Sequence, residues 1–444
     1  MAAAFFMLGL AGLLGAMCHR NFTGAFFVAL AASTLQMPLV TVEGIDVKVS
    51  ESIYAAFFLL FLPSAVLRAD NGRLRLRAFR PDEVRIVVLL FALLVSFPAR
   101  FADSLLSWDE VAYSLVHAAR FSLLACALIV IVGCLDWRRR SDVPSLVAWV
   151  VLVSGVVAGI GYFTGLAVSV DPLNDVERAR GTFINGNMLA AMHLCALPVV
   201  FGGIVVSQRK RSQVLLVCAA MSGVVALVLS ESKMGIAVLG VNVLLLVLAT
   251  ARRPAALALL LVAGFVCVVL AIRWDVGSRF EKLLLAAFEG RVFATEEAAR
   301  IHLWSVGLEA VSEYWILGSG FMSSRFVSHL DWSGRGFDTY HSFYLDFLSG
   351  AGVVPFALFL VYVALPVGRV VRSRRDPLSI SAVVVVMNVM LMIFFENYLL
   401  SVFAHLFLAL AIWLAGTDAA LLDRSEERRL KVSESGDNRG AEQS

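Results

Sequence analysis

Four separate stretches of this chain bring a cation or a histidine to the edge of an apolar run. "NDVERARGTFINGNMLA" carries Arg178 and Arg180, "LSESKMG" carries Lys233, and "AARIHLW" carries Arg300. "GFDTYHSFYLDFLSGAG" carries His341 where a polar stretch gives way to a long hydrophobic one. Converging cations suit a phosphate-bearing ligand, because Arg grips phosphate oxygens with a planar fork and Lys as a point charge. A histidine among them adds a group that handles protons near neutral pH. The chemistry these types allow is one in which charge builds on a departing phosphate while a proton moves nearby. For any one residue the ordinary account is an ion pair with Glu177, Glu231, Glu297 or Asp338, or contact with a lipid headgroup. Four segments acting alike are harder to explain that way, and two of them abut glycines (Gly181 and Gly186, Gly235).

The elements that must position these residues are membrane helices. Of 444 residues 60% are hydrophobic and 16% charged, with a mean hydropathy of +0.84; a soluble chain carries about a quarter charged residues. Apolar runs long enough to cross a bilayer recur along the chain, and in lipid such runs must be helical to satisfy their own backbone. Spans are expected at 2–18, 23–41, 51–68, 84–100, 117–136, 143–163, 187–206, 213–230, 234–251, 254–273, 345–367, 378–395 and 398–416. The expected fold class is an all-α polytopic membrane protein of about 12–13 transmembrane helices with a long, partly helical periplasmic loop. The N-terminus lacks a basic n-region and reads as a first helix, not a cleaved signal.

Basic clusters fix the orientation. Arg73, Arg75, Arg77 and Arg80; Arg138–Arg140; Arg209, Lys210 and Arg211; Arg252 and Arg253; and Arg369, Arg372, Arg374 and Arg375 each fall in every second loop. The positive-inside rule makes those loops cytoplasmic, together with the polar tail 417–444. The loop 164–186, the turn 230–233 and the stretch 274–344 therefore face outward, and they hold the four cationic segments. Within the last, Ile301, Trp304, Leu308, Val311 and Trp315 recur at spacings of three and four, the pattern of an amphipathic helix lying on or near the outer membrane face. The chain divides into N-terminal helices 1–163, central helices with outer loops 164–273, a periplasmic loop 274–344, C-terminal helices 345–416 and the tail.

Other polar residues read plainly. His193, Glu396 and His405 lie inside apolar runs and read as buried, bonded contacts; His302 and His329 read as loop residues. Asp103, Asp109 and Glu110 form no close carboxylate pair suited to a metal. The six cysteines sit in apolar runs without metal or disulfide spacing and behave as small hydrophobes. There is no phosphate-binding glycine loop, dinucleotide fingerprint, zinc spacing or nucleophile elbow, so classes built on those motifs are disfavoured.

At the cationic segments the sequence resembles the bacterial O-antigen ligase and polysaccharide polymerase superfamily. The family's mid-chain motif, an Arg followed by Gly, Phe and Asn before a helix, is similar to Arg178-Ala-Arg180-Gly181-Thr182-Phe183-Ile184-Asn185-Gly186-Asn187. A following Ser-Arg-Gly hairpin resembles Ser232-Lys233-Met234-Gly235, and the late loop's Arg, Trp, Gly-x-Gly and His-Asn resemble Arg300, Trp304, Gly318-Ser319-Gly320 and His341-Ser342, with Gly352 beyond. The resemblance spans about Arg178 to Pro366. It departs from the pattern at Gly186, where Pro is usual, at Lys233, where Arg is usual, and at Ser342, where Asn is usual.

The resemblance implies a glycosyltransferase that moves a glycan from an undecaprenyl-diphosphate donor to an acceptor hydroxyl, by inverting displacement, at the periplasmic face of the bacterial inner membrane. The acceptor would be another glycan for a polymerase, or lipid A core for a ligase. Arg300 and His341 would be catalytic and Arg178, Arg180 and Lys233 diphosphate-binding. Gly181, Asn187, Trp304, Gly318 and Gly320 would be structural supports. No metal, no other cofactor and no nucleic-acid partner is expected, the remaining partners being membrane lipids. A related rival, a peptidoglycan-type polymerase, would need an outer-loop carboxylate that has no evident candidate. The reading from another class is a transporter or flippase of lipid-linked oligosaccharide, which predicts internal repeats and charged or broken helices at the midplane; no repeat is visible.

Overall fold

The computed structural model describes residues 30–36, 38–42, 45–48, 50, 67–70, 73–76, 88–97, 107–134, 141–170, 177–250, 296–327, 339–372, 377–395 and 403–415. The expected spans 2–18, 51–68 (but for its last two residues) and 254–273 lie outside these residues, as do Glu396 and the tail. The helices are α1 (Val88–Phe97), α2 (Trp108–Cys134), α3 (Val143–Phe163), α4 (Gly186–Val206), α5 (Lys210–Leu229), α6 (Lys233–Thr250), α7 (Glu296–Tyr314), α8 (Ser324–Val327), α9 (Phe343–Ala351), α10 (Val353–Arg372), α11 (Pro377–Phe395) and α12 (Phe403–Ala415). Among the described residues α3, α4, α5 and α11 are long and apolar enough to cross a membrane, and α1 and α12 are shorter apolar helices. The all-α polytopic class therefore stands. Three two-stranded antiparallel hairpins, β1–β2 (Pro38–Val42, Ile45–Lys48), β3–β4 (Leu67–Asp70, Arg73–Leu76) and β5–β6 (Val168–Val170, Glu177–Ala179), serve as connections.

The core of the bundle is α4, of whose spanning window 83% is buried. Its glycines and alanines let neighbours approach to backbone distance. A Cβ on Gly203 would press on Pro144 of α3 and Leu216 of α5, so both helices begin beside its C-terminal end. Along their length α3 and α5 run parallel, with Ser145 Oγ and Ser212 Oγ 2.8 Å apart and Gly155 packed on the backbone of Ser222. The other flank of α4 takes α11 in antiparallel fashion: Gly202 meets Ser381 and the Pro377 carbonyl, and Asn388 reaches Leu194 farther along. Every residue of α12 is buried.

The Asn388 contact has a backbone cause. Pro198 sits inside α4 and has no N–H, so the carbonyl four residues earlier, that of Leu194, lacks its helical donor. In a bilayer interior an unsatisfied carbonyl is expensive. Asn388 Nδ2 donates to Leu194 O at 2.6 Å and fills the gap from α11. The intramembrane polar groups behave in the same local manner. His193, fully buried, donates from Nδ1 to Leu189 O at 2.9 Å. His405 packs edge-on to Phe121.

Three elements differ from the sequence expectation. The expected span 23–41 does not stay helical to its end, because Pro38–Val42 form strand β1, paired with β2. The apolar stretch 345–367 is not one helix: it breaks at Gly352 (φ 86°) into α9 and α10. The stripe chosen from periodicity divides: Leu308 and, just past α7, Trp315 are 61% and 47% exposed, whereas Trp304 packs on Phe394 of α11. The helix instead packs through Leu303, Gly307 and Ala310 onto Tyr340 and Leu345. Leu308 and Trp315 are thus left uncovered by the described residues, while Leu303, Gly307 and Ala310 make the seam with Tyr340 and Leu345. A further helix start went unread: α2 begins at Trp108, nine residues before the expected span. Its opening is closed reciprocally by Ser107 and Glu110, with Ser107 N–H donating to Glu110 Oε2 (2.6 Å) and Glu110 N–H to Ser107 Oγ (3.4 Å).

Replacing Asn388 by Leu should destabilise the bundle by about 1–3 kcal/mol, because it strands the Leu194 carbonyl. Adding Pro198→Ala should recover most of that loss by restoring the helical N–H. Thermal unfolding of the single and double variants in detergent checks both statements.

Candidate functional site

The residues singled out from the sequence fall into two built units. The first surrounds the N-terminus of α4. β6 pairs with β5 in the register Val168↔Ala179, Ser169↔Arg178, Val170↔Glu177, and Arg180 extends the pairing through its N–H to Ala167 O (3.0 Å). The chain then turns at Gly181, whose φ of 55° is a conformation glycine adopts without strain. Phe183 N–H closes the turn on Arg180 O (2.9 Å), and its ring is buried against Phe403 of α12. Thr182 Oγ1 donates to Thr34 O at 2.7 Å, tying the turn to a distant segment. Asn185 then caps α4, its Oδ1 accepting from Met188 N–H at 2.9 Å. Asn187, expected as a support, is the second residue of α4 and half-buried.

This unit meets the α5–α6 turn at Gly186. A Cβ there would lie 2.7 Å from Ser230 O and 3.3 Å from Arg178 Cβ. The usual Pro is absent, and its place is taken by a residue with no side chain at a point where two backbones touch. Past the turn, Glu231 takes a left-handed φ of 49°, and Ser232 caps α6 through Oγ, accepting from Gly235 N–H at 3.2 Å. Lys233 is the first residue of α6, directly after this cap, and its side chain lies outside the described residues. Arg178 and Arg180 are half-buried. Arg180 Nε is shielded from solvent and has no hydrogen-bond partner among the described residues.

The second unit is the frame around His341. Arg300 is half-buried on α7, and one turn on the Trp304 ring stands 5.1 Å from that of Phe394 on α11. Tyr340 is fully buried with its ring over Gly307, whose Cβ would come within 2.9 Å of it. His341 follows, half-buried, with a left-handed φ of 51° and its N–H directed to Thr339 Oγ1 (3.3 Å). Gly318 and Gly320, the two outer glycines of the Gly-Ser-Gly segment, support the far end of α9. Ser319 and Gly320 N–H groups donate to Ser349 O (2.8 Å) and Gly350 O (2.9 Å). A Cβ on Gly318 would overlap the Gly350 carbonyl, and its φ is 77°. Ser114 Oγ of α2 donates to Phe321 O (2.8 Å), and Phe121 packs on both Phe321 and Phe343.

Both units lie at one end of the bundle. α11 runs antiparallel to α4, from Ser381 beside Gly202 through Asn388 beside Leu194. Phe394 therefore stands near the N-terminal end of α4, where Arg178 and Arg180 are. The rings of Trp304 and Tyr344 meet Phe394, bringing the Arg300 and His341 frame to the same end. Arg209, Lys210 and Arg211 start α5, at the opposite end beside the C-terminus of α4. Sequence reasoning missed Asn185 as the α4 cap and missed Asp346, a buried acid beside the His341 loop.

Residues 214–360 match a protein-family model described as O-antigen ligase. The matched stretch runs from α5 into α10. It includes Lys233, Arg300, Trp304, Gly318, Gly320 and His341, while Arg178, Arg180, Gly181 and Asn187 precede it. The resemblance to the O-antigen ligase and polymerase superfamily is borne out by this match, which supports a membrane glycosyltransferase-type role in O-antigen assembly. No curated protein matches the chain significantly.

The glycine joints make a paired prediction. Gly318→Ala should cost about 1–3 kcal/mol through overlap and a disfavoured backbone. Gly240→Ala, which meets nothing within 4 Å in α6, should be neutral or stabilising by up to about 1 kcal/mol. Unfolding temperatures of the two purified variants measure the contrast.

Proposed function

With residues 214–360 matching the O-antigen ligase family, we propose that this protein transfers a glycan from a polyprenyl diphosphate to an acceptor hydroxyl. The reaction takes place at the periplasmic face of the bacterial inner membrane, in surface polysaccharide or O-antigen assembly. The observation that supports the reading is the contact of the Arg178–Arg180 turn with the α5–α6 turn at Gly186, with the Arg300–His341 frame docked through Phe394 toward the same bundle end. That end is opposite Arg209, Lys210 and Arg211, whose cluster belongs in the cytoplasm by the positive-inside rule.

In the reaction the acceptor oxygen attacks the anomeric carbon, the bond from that carbon to the phosphate oxygen breaks, and its electron pair leaves with the lipid diphosphate. Arg178, Arg180, Arg300 and Lys233 hold the diphosphate and offset the charge that grows on it, an effect strongest where water is excluded. His341 takes the acceptor's proton, so its place at the junction of loop and apolar helix is where a lipid-borne leaving group meets a water-borne sugar. The cations supply the charge stabilisation that other transferases draw from a metal ion. Polymerase and ligase differ only in the acceptor, and the reading covers both.

His341→Ala should lower transfer by about 10²–10⁴-fold. Arg300→Ala should lower it by about 10²–10³-fold, in the manner of a lost charge-stabilising donor. Protein levels should be unchanged in both variants. The check is a reconstituted assay with labelled polyprenyl-diphosphate glycan. Longer lipid-linked chains identify a polymerase and transfer to lipid A core a ligase, whereas movement across the bilayer without bond exchange would overturn the reading in favour of a flippase.

A further inference from the structure

We propose that Asp346 is the positioning residue for His341, acting as a hydrogen-bond acceptor on the backbone. Its geometry stands alone; its consequence for turnover rests on the glycosyl-transfer reading above.

Asp346 is the fourth residue of α9 and only 1% exposed, and a carboxylate so enclosed must be bonded within the protein. Its Oδ1 accepts from Tyr340 N–H at 3.3 Å, reaching back across the start of the helix. Ser342 occupies the capping position yet makes no side-chain cap bond. The bond that closes this turn therefore comes from Asp346. Its own N–H bonds Ser342 O at 3.0 Å, so Asp346 holds the residues on both sides of His341.

Between these anchors His341 has a φ of 51°. An L-residue stays in that region only where its surroundings over-determine it. Tyr340 contributes through its ring over Gly307 and Thr339 through Oγ1 on the His341 N–H. Releasing Tyr340 N–H lets residue 341 relax to negative φ, which re-aims the Cα–Cβ bond and carries the imidazole off its post. The Tyr340 contact asks for an oxygen acceptor at residue 346. Asp346→Asn keeps that oxygen and Asp346→Ala removes it.

The test uses the full chain in lipid nanodiscs. Hydrogen exchange at the Tyr340 amide should quicken about tenfold or more in Asp346→Ala and stay near wild type in Asp346→Asn. With labelled polyprenyl-diphosphate glycan, kcat should fall about tenfold or more in Asp346→Ala while the donor KM stays within about twofold, and Asp346→Asn should restore most of it. Unchanged Tyr340 exchange in Asp346→Ala overturns the positioning itself. Asp346→Asn losing as much turnover as Asp346→Ala overturns the acceptor role. If Asp346→Ala does not accumulate, Thr339→Ala removes the second anchor without disturbing the buried acid, and the same fall in kcat at constant KM is expected. A wild-type protein without transfer activity would refute the glycosyl-transfer reading alone, and the exchange measurement would still decide the geometry.

Discussion

A backbone carbonyl inside a bilayer must find a donor, and the placement of the candidate site follows from one case of that rule. Pro198 deprives Leu194 of its helical partner, and Asn388 supplies the missing donor from α11. This fixes the register of α11 on α4. Phe394, at the end of α11, then stands near the start of α4, and the α7 and α9 frame docks on it through Trp304 and Tyr344. A polar bond in mid-membrane thus sets which side chains share the bundle's end.

At that end the joints are made by absence of side chain. Gly186 lets the α5–α6 turn touch the strand carrying Arg178, Gly307 lets Tyr340 lie flat on α7, and Gly318 and Gly350 place two backbones in direct contact. Arg178, Arg180, Lys233 and His341 are thereby carried at or beside short, backbone-bonded turns, and Arg300 on α7 itself. Such anchoring matters for charge stabilisation, because groups fixed in advance need no reorganisation when charge develops.

Much of this was legible in the sequence. Helices α3, α4, α5 and α11 end within about three residues of the expected spans, because hydropathy over some twenty residues is a strong, local signal. The cationic segments were legible as types, and the order of their motifs carried the family resemblance. The hairpin β5–β6 was not, since three-residue strands leave no periodicity to read. Nor was the packing face of α7. At a membrane a helix has two apolar partners, lipid and protein, and the bulky stripe and the small-residue stripe compete for the same label. Glu110 and Asp346 were visible as letters; the first sits in a Ser-x-x-Glu pattern that could have been recognised, whereas the second acquires its meaning only from where Tyr340 is held. The break at Gly352 was hidden inside an unbroken apolar run, where composition says nothing about φ.

The left-handed backbone at residue 341 also governs which sequences could occupy that place. Glycine and asparagine tolerate this conformation, whereas valine, isoleucine and threonine resist it strongly. Under the proposed function two independent filters act on this position, one for the imidazole of the proposed proton transfer and the other for a permissive main chain. An inactive variant with the fold of the loop intact would best be sought among residues that pass the second filter and fail the first.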